Sequence, residues 1–267
     1  GSRIFHGSGL AILLLVLAAA APSAWASPPW LVRSWQSDEG LPDNTVMGID
    51  QTPDGFLWVA TKTGLVRFDG VQFQPFPVTA PGTAAGYVKA MLADRRGRLW
   101  VAKDLGVVVC VDQGRVTTVV GTEYALPDAG ERLVVSDAEG AVWVTYISGP
   151  VLRIRDGQVR VFTAADGLPE GSACQLATDG AGQLWFAQGD WVGVFREDRF
   201  RPLGQEGFQR IAGARAGGIW GYRDRQIWKI AEGGSPVKLG TLPADVPEVA
   251  PTVMREDRAG CLWLGTT

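Results

Sequence analysis

Histidine is all but missing from this chain: His6 is the sole copy among 267 residues. From Ser27 onward no imidazole exists for a Ser-His-Asp triad, a histidine metal site or a phosphoacceptor. Cysteine is scarce as well. Cys110, Cys174 and Cys261 are odd in number, widely spaced and free of any CxxC pair. That argues against a disulfide framework and reads them as small buried apolar residues. Basic clusters are absent and the formal net charge is −3, which disfavours nucleic acid or a charged membrane surface as partner. There is no GxxxxGK[ST] phosphate loop and no GxGxxG opening a helix. No apolar run after Ala26 reaches membrane-spanning length, and helical periodicity is nowhere evident.

What is present begins with a leader. The apolar run Leu10–Ala21 follows Arg3 and His6, is short for a bilayer span, and ends near the small residues Ala24 and Ala26. This is the layout of a signal peptide over residues 1–26, with an exported chain starting at Ser27. The leader carries one basic and no acidic residue, so its removal moves the net charge from −3 to −4.

The remainder is written in repeats. A polar turn running into tryptophan occurs six times, ending at Trp58, Trp100, Trp143, Trp185, Trp220 and Trp263, at intervals of 42, 43, 42, 35 and 43 residues. Glycine stands three positions before each, at Gly55, Gly97, Gly140, Gly182, Gly217 and Gly260. Aspartate stands six before it in four copies, at Asp94, Asp137, Asp179 and Asp257, with Thr52 and Ala214 in the other two. Asp can fold its carboxylate onto nearby backbone N–H groups and Gly supplies a positive φ, so the unit predicts a hairpin turn. The segments that follow, such as LWVAT, LWVAK and LWFAQ, are apolar on both sides of the pleat and predict strands packed on both faces. One indole per repeat in a fixed slot implies a recurrent gap between neighbouring sheets.

Each unit also predicts further strands, as in GLVRFDGVQFQPF, where Asp69-Gly70 separates strands Leu65–Phe68 and Val71–Phe76. Asp156-Gly157 and Glu197-Asp198 are the corresponding turns of later units, and VVCVDQGRVTTV carries a longer one. Four antiparallel strands per 42 residues is the arithmetic of a β-propeller blade, so the expected fold class is an all-β propeller. The expected blades span about 45–76, 87–120, 131–162, 172–203 and 208–239, with a partial sixth at 249–267. The stretch VRSWQSDEGLP (32–42) parallels VRVFTAADGLP (159–169), the end of one blade and its exit loop. Residues 30–36 are therefore expected to form a closing strand that joins the ends of a ring. Seven blades at this period need about 295 residues, more than the chain supplies, so the expectation is a seven-bladed ring or a longer array cut mid-repeat.

The pattern DEGLPDNTVMGIDQTPDGFLWVATKTGLVRFDGVQF (38–73) resembles the two-component regulator propeller repeat, through its DGLP-type loop, its G-x-L-W core, in which Thr52 stands where the repeat's D-x-x-G-x-L-W has Asp, and its GL-x-R-F-D-G third strand. ADGLP (165–169) repeats the loop, and 208–239 is the most divergent unit. The resemblance implies the exported sensory part of a membrane receptor, on the periplasmic side of the bacterial inner membrane. There it binds an oligosaccharide or other small ligand and relays it through a membrane-spanning segment to a cytoplasmic histidine kinase, diguanylate cyclase or related output. A homodimer is a further implied partner, no cofactor is expected, and the fragment itself is not expected to be an enzyme. Two other readings stand beside it: a free periplasmic binding or scaffold propeller, and a secreted carbohydrate-active enzyme built on an Asp/Glu pair. The candidates for ligand contact are the non-repeating positions: the loops Pro77–Tyr87 and Gly121–Glu131, and Tyr146, Trp191, Tyr222, Arg223 and Arg225.

Overall fold

Every predicted turn-to-tryptophan unit becomes the hinge between the first two strands of a sheet. The computed structural model describes residues 35–79, 87–121, 124, 133–147, 149–171, 173–244 and 250–265. The leader, most of the expected closing strand and the greater part of the loops at 77–87 and 121–131 lie outside the described residues.

Blade one contains β1 (Val46–Gln51), β2 (Leu57–Thr61), β3 (Leu65–Phe68) and β4 (Phe73–Phe76). Blade two contains β5 (Val88–Ala93), β6 (Leu99–Lys103), β7 (Val108–Asp112) and β8 (Arg115–Val120), and blade three β9 (Leu133–Ser136), β10 (Val142–Thr145), β11 (Val151–Arg155) and β12 (Gln158–Phe162). Blade four is built from β13 (Gln175–Thr178), β14 (Leu184–Gln188), β15 (Trp191–Arg196) and β16 (Arg199–Gln205). Blade five has β17 (Arg210–Gly213), β18 (Ile219–Arg223), β19 (Gln226–Ile230) and β20 (Val237–Thr241), and the sixth sheet has β21 (Val253–Glu256) and β22 (Leu262–Gly265). Each sheet is an antiparallel meander in chain order. The first strands of successive sheets pack on one another in sequence. The protein is an all-β propeller of five complete blades and two strands of a sixth.

The second strand of each blade is the best buried, as its apolar pleat predicts: β6, β10 and β14 are buried at every position. The core is a series of seams between blades. Trp58 closes the seam with Val88, Leu99 and Val101 of blade two. Trp100 does so against Val134, Val142 and Val144, Trp143 against Leu176, Phe186 and Phe200, and Trp185 against Ile211 and Ile219. Each indole therefore needs a following sheet. Trp263 departs from the expectation that every copy fills such a gap: it is 60% exposed, because no described sheet lies beyond β22. Cys261 is exposed on the same sheet, whereas Cys110 and Cys174 are buried and all three are free thiols.

Two turn lengths also differ from expectation. The blade-one hairpin pairs Phe68 with Phe73, so its loop has four residues and β4 starts at Phe73 instead of Val71. The Asp69 carboxylate accepts the N–H groups of Val71 and Gln72, which pulls both out of the ladder. In blade two Asp112 pairs with Arg115, leaving a tight two-residue turn at Gln113-Gly114, both with positive φ.

Trp35 and Gln36 lie outside any strand. The exit loop that follows them is nonetheless a true copy of the later one. Ser37–Glu39 and Ala164–Asp166 are both single 3₁₀ turns with a capping box, each ending on a left-handed glycine, Gly40 and Gly167. Trp35 packs edge-on against Phe68 and Phe73 at 5.4 and 6.3 Å, as Phe162 does against Phe195 and Phe200 at 5.3 and 5.6 Å. Trp35 thus takes on blade one the seat that the last residue of β12 takes on blade four.

Candidate functional site

In an antiparallel meander the first-to-second and third-to-fourth turns share one end of the blade, and all other connections share the opposite end. The two ends of this propeller differ in what their residues are asked to do.

The turn end is mechanical. Asp94 divides its carboxylate between two tasks: Oδ1 accepts the N–H groups of Arg96 and Arg98, and Oδ2 accepts the indole N–H of Trp100 at 2.9 Å. Asp137 with Trp143, Asp179 with Trp185 and Asp257 with Trp263 repeat the arrangement at 2.8, 2.9 and 2.7 Å. Gly55, Gly97, Gly140, Gly182, Gly217 and Gly260 all hold the positive φ of the reversal. In blade one the Thr52 hydroxyl receives the Trp58 indole N–H and donates to Asp54. Burial pushes the Asp94 carboxyl up, but the Trp100 and Arg98 donors outweigh it and leave it below the ordinary range. Asp257 is held low chiefly by the Trp263 indole, then by the Cys261 amide. The repeated carboxylates are thus occupied as turn and indole acceptors. Among the described residues no three His, Cys, Asp or Glu side chains gather to hold a metal ion.

The loop end is where the chain varies. Three residues past the tryptophans of the five complete blades, at or just beyond the end of the second strand, stand Thr61, Lys103, Tyr146, Gln188 and Arg223, five different side chains in one slot. Four of them reach a loop carbonyl: Thr61 that of Gly64, Lys103 that of Val78, Tyr146 that of Gly106, and Arg223 that of Glu206. Lys103 is 2% exposed. Burial holds its ammonium below the usual lysine value, with Asp104 opposing. Gln188 differs, because its buried Oε1 has no hydrogen-bond partner. Its cross-strand partner is Trp191, so the two side chains share a face of the sheet, and Trp191 is 36% exposed. The Gly171 and Gly189 backbones close over this corner at 3.3 Å from where a Gly171 Cβ would stand.

The individually predicted contact residues therefore fall into two groups. Tyr146 and Tyr222 are buried packing residues. Trp191, Arg223 and Arg225 stay on the loop end, Arg223 lying 4.7 Å over Trp228 and Arg225 reaching the carbonyls of Leu242 and Pro243. Lys103 and Gln188 were missed. Their signal was a polar residue at the end of an otherwise apolar strand, at a slot the repeat leaves open.

Residues 40–63, the exit loop with β1 and β2, match the family model of the two component regulator propeller. That segment carries one copy of the two-component regulator propeller repeat. No curated protein matches the sequence. Among solved structures, virginiamycin B lyase from Staphylococcus aureus is similar at a TM-score of 0.68 and 16% identity, over 83% of this chain and 77% of that one. The extracellular domains of the hybrid two component systems BT3049 and BT4673 from B. thetaiotaomicron are similar at TM-scores of 0.65 and 0.64, each at 19% identity over 84% of this chain. This chain spans 33% of the length of each of those domains. At such identities the shared property is the fold, and the repeat matched at 40–63 ties the sequence motif to it. No helix among the described residues is long and apolar enough to cross a membrane.

Proposed function

We propose that this propeller is the extracytoplasmic sensing region of a signal-transduction receptor, taking an oligosaccharide or other small ligand on its loop end and relaying occupancy to a cytoplasmic output. The observation that carries the reading is the division of labour between the two ends. Repeated side chains at the turn end are consumed by the fold, while the loop end has a slot of varied polar residues. In that slot the buried amide oxygen of Gln188 lacks a donor and stands beside an exposed indole. Aromatic faces beside unsatisfied acceptors suit polyhydroxylated ligands. The matched repeat and the fold shared with extracellular domains of two-component systems support the setting, as does the leader-like segment at 1–26. The relay would act by population shift, a ligand favouring one arrangement of the blades relative to a membrane-attached output or within a homodimer.

A lyase-like activity is the competing reading, since the fold is shared with virginiamycin B lyase, of which a histidine-to-alanine variant is catalytically inactive. Here the lone His6 lies in the leader-like segment and the described residues contain no histidine. Calorimetric titration of residues 27–267 with a panel of oligosaccharides tests both readings. Saturable binding without turnover, weakened about tenfold or more by Gln188→Ala and by Trp191→Ala, is expected; each change removes about 1–2 kcal/mol of contact. Turnover of a panel member, or binding that neither substitution alters, would overturn the assignment.

A further inference from the structure

Blade five breaks the turn rule, and the way it is repaired carries an inference. Its Asp slot holds Ala214, so Trp220 has no acceptor within its own turn. The missing carboxylate arrives from the next sheet: Oε2 of Glu256, the last residue of β21, accepts the Trp220 indole N–H at 2.8 Å and the Arg215 amide at 2.8 Å. These are the two kinds of donor, one indole and one turn amide, that an in-turn aspartate serves elsewhere. Lys229, the cross-strand partner of Trp220, places its ammonium 4.4 Å over the indole ring. On the other side the turn is held by blade four. Asp179 Oδ2 accepts the Gly218 amide at 2.7 Å in addition to its own Trp185, and the Ala214 carbonyl accepts the Gly180 amide at 2.9 Å.

We infer that Glu256 is an inter-blade latch: it supplies in trans the carboxylate that blade five lacks, so that blades five and six open and close as one unit. In blades two to four the indole bond is internal, and a blade can shift against its successor without breaking it. Between blades five and six that bond crosses the joint, beside the Arg210 Nε bond to the Pro251 carbonyl and the apolar contacts around Met254. When the two sheets part, a half-buried indole N–H and a turn amide lose their shared acceptor, so separation here breaks an indole bond in addition to the kind of inter-blade polar contact that other seams also carry, such as Asp50 Oδ2 with the Ala93 amide and Asp179 Oδ2 with the Gly218 amide. Among the described blades, this is the seam in which the repeat tryptophan takes its indole acceptor from the next sheet.

The test is a substitution cycle read by the Trp220 indole N–H resonance and by amide hydrogen exchange, on residues 27–267. Glu256→Ala should move the Trp220 indole resonance upfield and speed exchange of the Arg215 amide tenfold or more, leaving blades two and three unchanged. Glu256→Gln, which keeps an acceptor oxygen, should show a smaller shift and guards against an unfolded alanine variant. Ala214→Asp should reverse its effect with background. Beside Glu256 it crowds two carboxylates and accelerates exchange in blade five. Combined with Glu256→Ala it restores an in-turn acceptor and slows that exchange again, while blades five and six then exchange independently. A Trp220 resonance and an Arg215 exchange rate unmoved by Glu256→Ala, or an Ala214→Asp effect of the same sign in both backgrounds, would overturn the latch.

Discussion

In blades two to four a single carboxylate oxygen decides whether the repeat tryptophan is a buried hydrophobe or a buried hydrophobe with an unpaired donor. Indole N–H groups in a seam cannot reach water, so the turn aspartate contributes twice, once to the reversal and once to the indole. Asp94→Asn separates these roles. The amide oxygen can still cap the Arg96 and Arg98 N–H groups, but the amide nitrogen then faces the Trp100 indole, donor against donor. A loss of about 1–3 kcal/mol is expected from urea titrations at pH 7. Asp257→Asn on the exposed sixth turn is expected to cost less than about 1 kcal/mol. The pH dependence carries a definite sign. Because the folded Asp94 carboxyl lies below its ordinary value, its contribution is complete above the unfolded value of about 3.9 and is lost as pH falls through the folded value. The gap between the parent protein and Asp94→Asn should therefore be flat from pH 7 to 5 and close below about pH 4. A gap that widens on acidification would contradict the assignment of the carboxylate as acceptor.

At the scale of the element, two glycines with the same φ sign carry unequal burdens. Gly55 at the blade-one turn has φ +92° and open space where a Cβ would stand. Gly167, at the end of the exit-loop 3₁₀ turn, has φ +91°, and a Cβ there would stand 2.2 Å from the Phe200 carbonyl oxygen. Gly55→Ala should cost only the left-handed strain, about 1–2 kcal/mol. Gly167→Ala should add an overpacking cost of about 1–3 kcal/mol and displace the loop from β16. Denaturation midpoints of the two variants compare them directly, and equal losses would show the exit loop is not seated on blade four as described. The same loops show what sequence can and cannot convey. The Asp-x-x-Gly turn, the exit loop and the doubly buried second strand were legible because their chemistry is local and recurs at a fixed offset. The turn at Asp69-Gly70 was misread as short because the carboxylate of Asp69 captures the amides of Val71 and Gln72, a competition that the Asp-Gly dipeptide does not reveal. Glu256 was invisible for a different reason. Its partner Trp220 is 36 residues away, and an in-trans acceptor leaves no periodic trace; only the lapse at Ala214 hinted that one was needed. The loop-end slot was half legible, with Tyr146 and Arg223 noticed and Lys103 and Gln188 concealed inside apolar strands.

For the whole molecule, stability should follow position in the array. Blades that contact only their neighbours behave as a nearly one-dimensional chain, each stabilised by the seams on either side. Blades three and four have a described sheet on both faces, and Trp143 is fully buried among Phe162, Phe195 and Phe200. Blade one is covered on its leading side by Trp35 and Leu41 near β3, yet Ile49 on β1 remains 58% exposed. The sixth sheet leaves Val253 and Trp263 open on its trailing side. Trp143→Ala should therefore cost about 3–5 kcal/mol, since it empties a seam and strands Asp137 without its indole. Trp263→Ala should cost under about 1 kcal/mol, since that indole gives up little buried area. Tryptophan fluorescence should place Trp263 alone among the six repeat indoles in water, so that Trp263→Ala lowers the fraction a soluble quencher reaches and leaves the share that the exposed Trp191 contributes. Hydrogen exchange should rank the blades in the same order, slowest in three and four and fastest at the two open faces. If Trp263→Ala proved as damaging as Trp143→Ala, its indole would have to be covered by a further sheet, and the ranking of blades along the array would have to be redrawn from that end.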